Sequence, residues 1–386
     1  MKHITDMLVV GSGIIGASIA FALTETARHR VTLLDKGPLV SGMTRRSAGL
    51  VHPFHAHPLL AELAVASYPF YAQSAAQLIT RSNPRANKNA FVETGAALLS
   101  AGGADTAKIF ARAQMLAPLS REIAPSARGA LAAIYPGVSE KIQGGLFTPR
   151  AGYADAVQMT QNITAVAQER GLHVSTGTYV KQIIINGGRV KSVITTTGEI
   201  QTPLVILATG AWTEKLLTPL HHAFGLQFRG GAILFFEQPE MLTQGHPLFL
   251  DVNGEYFLRA HPYRLSAAGY VANPIENANA DALDEYVSPA SSARVAHFAA
   301  ACLPNLNMTP KRGHTILYDT LADGLPALGS VPDAEGLYVA AGFGASAFSV
   351  APAVGETIAQ LVIDGSATRD VSSFHPFRKT SRSYAN

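Results

Sequence analysis

The polarity pattern divides the chain into segments of different period. Residues 7–10 (Met-Leu-Val-Val) and 31–34 (Val-Thr-Leu-Leu) are short apolar runs, as strands buried on both faces of a parallel sheet should be. Residues 17–23 between them read as the helix that joins the two strands. Residues 59–78 have helical apolar spacing, residues 81–88 are polar and loop-like, and residues 91–99 read as a strand. Residues 106–131 read as short helices interrupted by Pro118 and Pro125. A helix over 155–170 is followed by runs at 174–177, 183–185, 190–195 and 199–202. Turn residues such as Asn186-Gly187-Gly188 separate them, which predicts a meander. Residues 204–207 form another apolar strand, 226–237 and 254–262 are β-rich, and 278–303 reads as helical. Residues 336–355 read as a buried strand, a small-residue loop and a helix.

The first strand runs straight into Gly11-Ser12-Gly13-Ile14-Ile15-Gly16. This is the Gly-x-Gly-x-x-Gly arrangement of dinucleotide-binding turns. Gly11 allows the tight turn out of the strand, Gly13 lets backbone approach a pyrophosphate, and Gly16 lets the helix pack close to the strand. The helix start offers free N–H groups and partial positive charge to phosphates. Asp35, followed by Lys36, ends the second strand, where an acid can accept from a ribose hydroxyl.

Composition narrows the class further. Of 386 residues, 47% are hydrophobic and 15% charged, enough for two cores and unlike a disordered chain. The net charge is +3, and the basic residues are spread out apart from Arg45-Arg46 and the tail residues Arg378, Lys379 and Arg382. Neither group makes a nucleic-acid stripe, and the tail reads as a solvated terminus. The single cysteine, Cys302, excludes an intrachain disulfide and reads as a buried spectator. No signal peptide and no apolar stretch of spanning length is expected, so the chain reads as cytoplasmic. His52, His55 and His57 lack acidic or thiol partners nearby, and no metal is expected. His52 is instead a candidate for a pocket wall.

Residues 44–53, Thr-Arg-Arg-Ser-Ala-Gly-Leu-Val-His-Pro, follow the second strand after a short loop. Residues 208–212, Ala-Thr-Gly-Ala-Trp, close the strand at 204–207, and Gly342 to Phe348 can present backbone N–H groups to a ring edge. Together with the fingerprint and the acid, these motifs resemble the FAD-dependent D-amino-acid oxidase family, which includes glycine oxidase and monomeric sarcosine oxidase. The likeness extends in order over nearly the whole chain. It implies that Thr44, Arg45, Ser47, Ala48 and Gly49 run under the flavin and that the Val180 backbone meets adenine. It further implies that Ala208, Thr209, Gly210 and Trp212, with Gly342, Gly344, Ala345, Ser346, Ala347 and Phe348, contact the cofactor.

The departures from that family bear on substrate. The covalent cysteine of monomeric sarcosine oxidase falls at about Ile316, which implies non-covalent FAD. Its oxygen-activating lysine falls near Ala267, and its carboxylate-binding arginine and lysine near Ala48 and Ser349. The carboxylate arginine of glycine oxidase falls at Tyr318. Arg46 and Arg259 are the cations left to replace the clamp, and Tyr256, Tyr263 and Tyr318 are further pocket candidates with His52.

The expected fold is α/β, or α+β overall. It has a Rossmann-type FAD-binding domain (1–80, 145–215 and 310–372), a mainly antiparallel substrate domain (81–144 and 216–309) and a C-terminal tail (373–386). The expected reaction is oxidation of a C–N bond in an amino acid or secondary amine, with hydride passing to flavin and the imine hydrolysing. Oxygen or another acceptor would reoxidise the flavin. Two alternatives stand beside it: oxidation of a hydroxy acid or alcohol, with His52, His261 or His314 as base, and a flavin-carrying subunit active only in a complex. A tRNA-modifying oxidase is disfavoured by the lack of a basic face. Homo- and hetero-oligomers both remain open.

Overall fold

The computed structural model describes residues 3–25, 28–78, 90–238, 246–262, 264–275, 279–283 and 285–378. Its organising layer is a six-stranded sheet. Met7–Val10 pairs in parallel with Val31–Leu34 on one side and Val205–Leu207 on the other. Val205–Leu207 pairs in parallel with Leu337–Ala341, and Ala327–Ser330 closes that edge antiparallel. The four residues of Met7–Val10 and of Val31–Leu34 are all buried, which is why neither shows alternation. The helix Ile14–Thr24 buries every residue except Phe21 and packs between Ala156–Glu169 and Ala347–Ile363. The last contact is close: a Cβ on Gly355 would stand 2.5 Å from the Ser18 carbonyl oxygen.

A second sheet of eight strands is mainly antiparallel. Its order is Pro310–Thr320, Gln227–Glu237, Leu265–Pro274, Tyr256–His261, Leu248–Asp251, Ala96–Ser100, Gly144–Thr148 and Ala124–Ala127. One face buries Phe236, Leu258 and Ala268 against the helix Pro289–Cys302, where Cys302 is 1% exposed. The other face buries Ile233, Phe235 and Phe257 against Ala48, Leu50 and Phe54 from the segment below. Two smaller sheets complete the fold. The meander Val180–Asn186, Arg189–Thr195 and Gly198–Gln201 takes His3–Ile4 as a fourth strand. Leu50–Val51, Gly152–Ala154 and Phe91–Glu93 form the other.

Several expectations need correction. His173–Ser175 is not a meander strand; it extends the parallel sheet beside Val31–Leu34. Residues 91–99 form two strands in different sheets, divided at Gly95, whose φ is +71°. The short helices expected over 106–131 are Ala104–Leu116 and Arg128–Ile134, but an edge strand, Ala124–Ala127, lies between them. The helix predicted from 278 begins only at Pro289, capped by the Ser288 hydroxyl, which accepts from the Ser291 N–H. Residues 310–320 and 144–148 hydrogen-bond within the eight-stranded sheet, so those segments do not follow the expected domain limits. The tail is not fully solvated. Phe374 is buried, and Arg378 pairs with Asp323 at 2.7 Å with both side chains nearly covered. Lys379 and Arg382 lie outside the described residues, as do 81–88 and Tyr263. One helical stretch, Gly344–Ile363, does reach spanning length and apolarity, but two-thirds (67%) of that window is buried inside the protein. It is a core helix.

Candidate active site

The central parallel strands point their C-terminal ends at one cavity of about 400 Å³, the position at which open α/β sheets receive ligands. Val10, Leu34, Ala208 and Ala341 bring the strand ends to its wall. Gly11 turns with φ +106°, and a Cβ there would collide with the Ala208 carbonyl oxygen at 2.3 Å. Gly13 N-caps the helix Ile14–Thr24, whose first turn carries no acid. The Ile14 N–H donates to Thr44 Oγ1 at 3.0 Å, and a Cβ on Gly13 would stand 2.9 Å from that oxygen. The turn is thus stripped of side chains where backbone faces the cavity.

Of the residues expected at a dinucleotide, Gly11, Gly13, Ile14, Ile15, Asp35, Lys36, Thr44, Ser47, Val180, Ala208, Thr209, Gly210, Trp212, Gly344, Ala347 and Phe348 line this cavity. Eight others do not line it. The Ser12 N–H and hydroxyl both donate to Asp35 Oδ2 at 2.7 Å, so the acid fixes the turn as well as facing the cavity. Gly16 lies against the Gly11 carbonyl and Gly49 against that of Ala154. Gly342 donates its N–H to Asp319 Oδ2 at 2.7 Å, and the Ser346 hydroxyl donates to the Phe343 carbonyl. Ala48 is buried in the apolar cluster, while Arg45 and Ala345 are exposed.

The catalytic candidates separate more sharply. Tyr318 and Arg46 line the cavity together with Ile316. Burial pushes the Tyr318 phenol above its usual range. Arg46 donates to Glu285 at 2.6 Å and to the Thr315 carbonyl at 3.3 Å. His52 does not reach this cavity. It lines a separate one of about 100 Å³ with Tyr68 and Arg150, and its Nδ1 accepts from the Phe54 N–H. Burial, with His55 and Arg112 nearby, holds it well below the usual imidazole range. Tyr256 faces the other side of the sheet, stacked on Tyr270 and tilted against Phe298, because strand alternation puts it opposite Arg259. Arg259 is 5% exposed. Nη1 donates to the Ala260 carbonyl and contacts His261 Nδ1 at 3.2 Å, the guanidinium stacks 4.3 Å over Tyr153, and Nε has no partner. Burial brings its pKa down to about 10.

Sequence reasoning missed Asp281 and Asp319. Asp281 lies on the cavity wall in the segment before Pro289–Cys302, and it accepts from Lys36 at 2.5 Å, Lys215 at 2.6 Å and Trp212 Nε1 at 2.7 Å. Lys36 also stands 4.0 Å over the Trp212 ring. These donors hold the Asp281 carboxyl far below the usual carboxylate range. Asp319 is pushed the other way, upward, by burial. Neither acid sits in a motif; only the tertiary fold brings them to the wall.

The fold and the cavity define a dinucleotide-binding α/β protein: a glycine cradle at a helix N-terminus, an acid closing the second strand, and room between two sheets. The sequence profile of the family "FAD dependent oxidoreductase" matches residues 6–361, and the chain belongs to that family. It is 26% identical over 377 residues to an uncharacterized oxidoreductase of Bacillus subtilis, covering 96% of this chain and 98% of that one. Glycine oxidase of Geobacillus kaustophilus is 25% identical over 380 residues, covering 97% of each chain. In fold it matches the L-proline dehydrogenase of P. horikoshii with a TM-score of 0.87, at 21% identity over 98% of both chains. The protein is an FAD-dependent amine or amino-acid oxidoreductase.

Proposed function

We propose that the substrate is an amine carrying a carboxylate, and that Arg259 receives this carboxylate. The carrying observation is a guanidinium 5% exposed, unpaired at Nε, with no carboxylate within ion-pair distance among the described residues. Asp155 acts on it only at longer range. Arg46, the other candidate, is already committed to Glu285. A buried guanidinium has lost its water, and a carboxylate would restore the lost hydrogen bonds through the planar fork.

In this reading the cavity residues around Gly11–Ile15, Asp35, Thr44 and Ala208–Gly210 hold FAD by backbone donors and close apolar contact. Bound FAD supplies the two-electron acceptor for hydride from the carbon beside nitrogen. Ile316 offers no nucleophile for a tether, so the cofactor is non-covalent, and acid precipitation should leave yellow FAD in the supernatant. Flavin retained in the pellet would count against this. Arg259 orients the substrate, and the apolar cluster below the sheet excludes water. The deprotonated amine needs no strong protein base, so positioning does most of the work.

The test is anaerobic bleaching of the flavin by glycine, sarcosine, proline, D-amino acids, N-methyl amines and 2-hydroxy acids. Amino acids should bleach it. Arg259→Ala should raise their apparent binding constant at least tenfold, as for a desolvated pair, and leave the matching amine without a carboxylate little changed. Bleaching by 2-hydroxy acids alone would overturn amine oxidation. Unchanged amino-acid binding in the variant would overturn the role of Arg259.

A further inference from the structure

The same sheet face carries a second cationic group beyond Arg259. Register places Arg259, Ala267, Phe235 and Arg312 on one rung across four strands. Along the edge strand, Tyr318, Ile316, His314 and Arg312 alternate onto one face, and the first two of these line the FAD cavity. Arg312 lies 4.5 Å over the Phe235 ring, and His261 meets the same ring edge-on at 4.8 Å. The two arginines and the histidine therefore share the sheet face whose far end, at Ile316 and Tyr318, lines the FAD cavity, and none of the three lines that cavity itself.

Hydrogen-bond accounting shows what these three residues lack. His261 Nδ1 is 3.2 Å from Arg259 Nη1, and its Nε2 is 3.5 Å from Arg312 Nη2. A guanidinium only donates, and a neutral imidazole has one donor and one acceptor. Burial and the two arginines hold His261 neutral, with a pKa of about 4. Whichever tautomer it adopts, one of the two contacts sets donor against donor. No carboxylate lies within ion-pair distance of Arg259 or Arg312 among the described residues, and the nearby Glu237 is paired with Lys311 at 2.8 Å. The run Arg259–His261–Arg312 is short of acceptors at both ends.

We propose that His261 and Arg312 form a second anion subsite, so that the preferred substrate is an amine with two carboxylates, one on Arg259 and the other between His261 and Arg312. This rests on the amine-oxidising reading above and adds the substrate class. The imidazole is the spacer between the two guanidiniums, so the two acid groups of the substrate must be only a few bonds apart. Arg312 is exposed and supplies the outer, solvent-facing half of the subsite.

Two measurements on the FAD-loaded protein test it. First, malonate, succinate and glutarate are titrated against acetate and propanoate, following perturbation of the flavin absorbance. The best dicarboxylate should bind at least tenfold tighter than the best monocarboxylate. Second, iminodiacetate, aspartate and glutamate are compared with glycine, sarcosine and alanine in anaerobic bleaching. In Arg312→Ala the ratio of dicarboxylate to monocarboxylate affinity should fall at least tenfold, and Arg312→Lys should keep part of it. Equal affinity for the two series in the parent, or an unchanged ratio in Arg312→Ala, overturns the second subsite while monocarboxylate amines still bleach the flavin. If no amine of either series bleaches it, the amine-oxidising reading itself falls, and this inference with it.

Discussion

Asp35 illustrates how one side chain serves two purposes. Its position after the second strand marks it for a ribose hydroxyl, and it does line the cavity. Its Oδ2 also takes both donors of Ser12, and Oδ1 takes the Gly37 N–H, so the acid braces the glycine turn before any ligand arrives. The motif made Asp35 legible, but the bond to Ser12 was not, because a hydrophobic pattern carries no information about hydroxyl partners. Buried histidines show the same limit. His55 and His246 are each held near a pKa of about 4 by burial, whereas an unfolded histidine titrates near 6.5. Between those values the unfolded chain binds protons that the folded chain refuses. Stability from these two residues is therefore complete above about pH 6.5 and falls as the pH drops toward 4. The loss is on the order of 1–3 kcal/mol for each residue. The melting temperature should decline steadily from pH 7 to pH 5, and His246→Phe should flatten part of that slope. A melting temperature that is level across this range would show that these rings are not held neutral.

At the scale of elements, the misread segments were either very short or patterned like a different element. His173–Ser175 has only three residues, too few to show which sheet it joins; its parallel pairing with Val31–Leu34 decides that. The stretch before Pro289 is apolar enough to imitate a helix, but the Ser288-Pro289 start signal sits eleven residues later than the predicted beginning at 278. The described residues there, 279–283 and 285–288, form no helix; they make a strap tied down at Asp281 and Glu285. Each of these pairs is partly exposed, and such pairs alone contribute little. Convergence of two ammonium groups and an indole N–H on one carboxylate makes the strap firmer than any single pair. Because it lies on the cavity wall, loosening it should speed cofactor loss. Asp281→Ala is expected to release FAD several-fold faster, read as the growth of free-flavin fluorescence after dilution. Added salt should accelerate release in the parent much more than in the variant, since it screens the same pairs. Release rates that match at low salt would mean that the strap does not hold the cofactor.

Across the whole molecule, fold class was legible and chain routing only partly so. Unbroken apolar runs at 7–10 and 205–207 betray strands covered on both faces, and both lie in the parallel sheet. The β-rich runs at 226–237 and 254–262 marked the second sheet. The pattern could not say that residues 310–320 stay with that sheet as its edge, because an edge strand is half-exposed and its partner is set by register alone.

One feature of the parallel sheet reaches back to the birth of the chain. Met7–Val10, made before the other two, rests on Val205–Leu207, which in turn rests on Leu337–Ala341. A ribosome adding about 5–20 residues per second needs roughly 10–40 s to bring residue 205 into being after residue 10. For that interval Met7–Val10 has one edge of backbone N–H and C=O groups without its partner strand, and the pocket has only part of its wall. Phe348 is the last wall residue to be made. A complete pocket for the cofactor therefore exists only once residue 348 has been made. In a cell short of riboflavin, chains made past that point would stand with the cleft between the two sheets unfilled until the cofactor arrives.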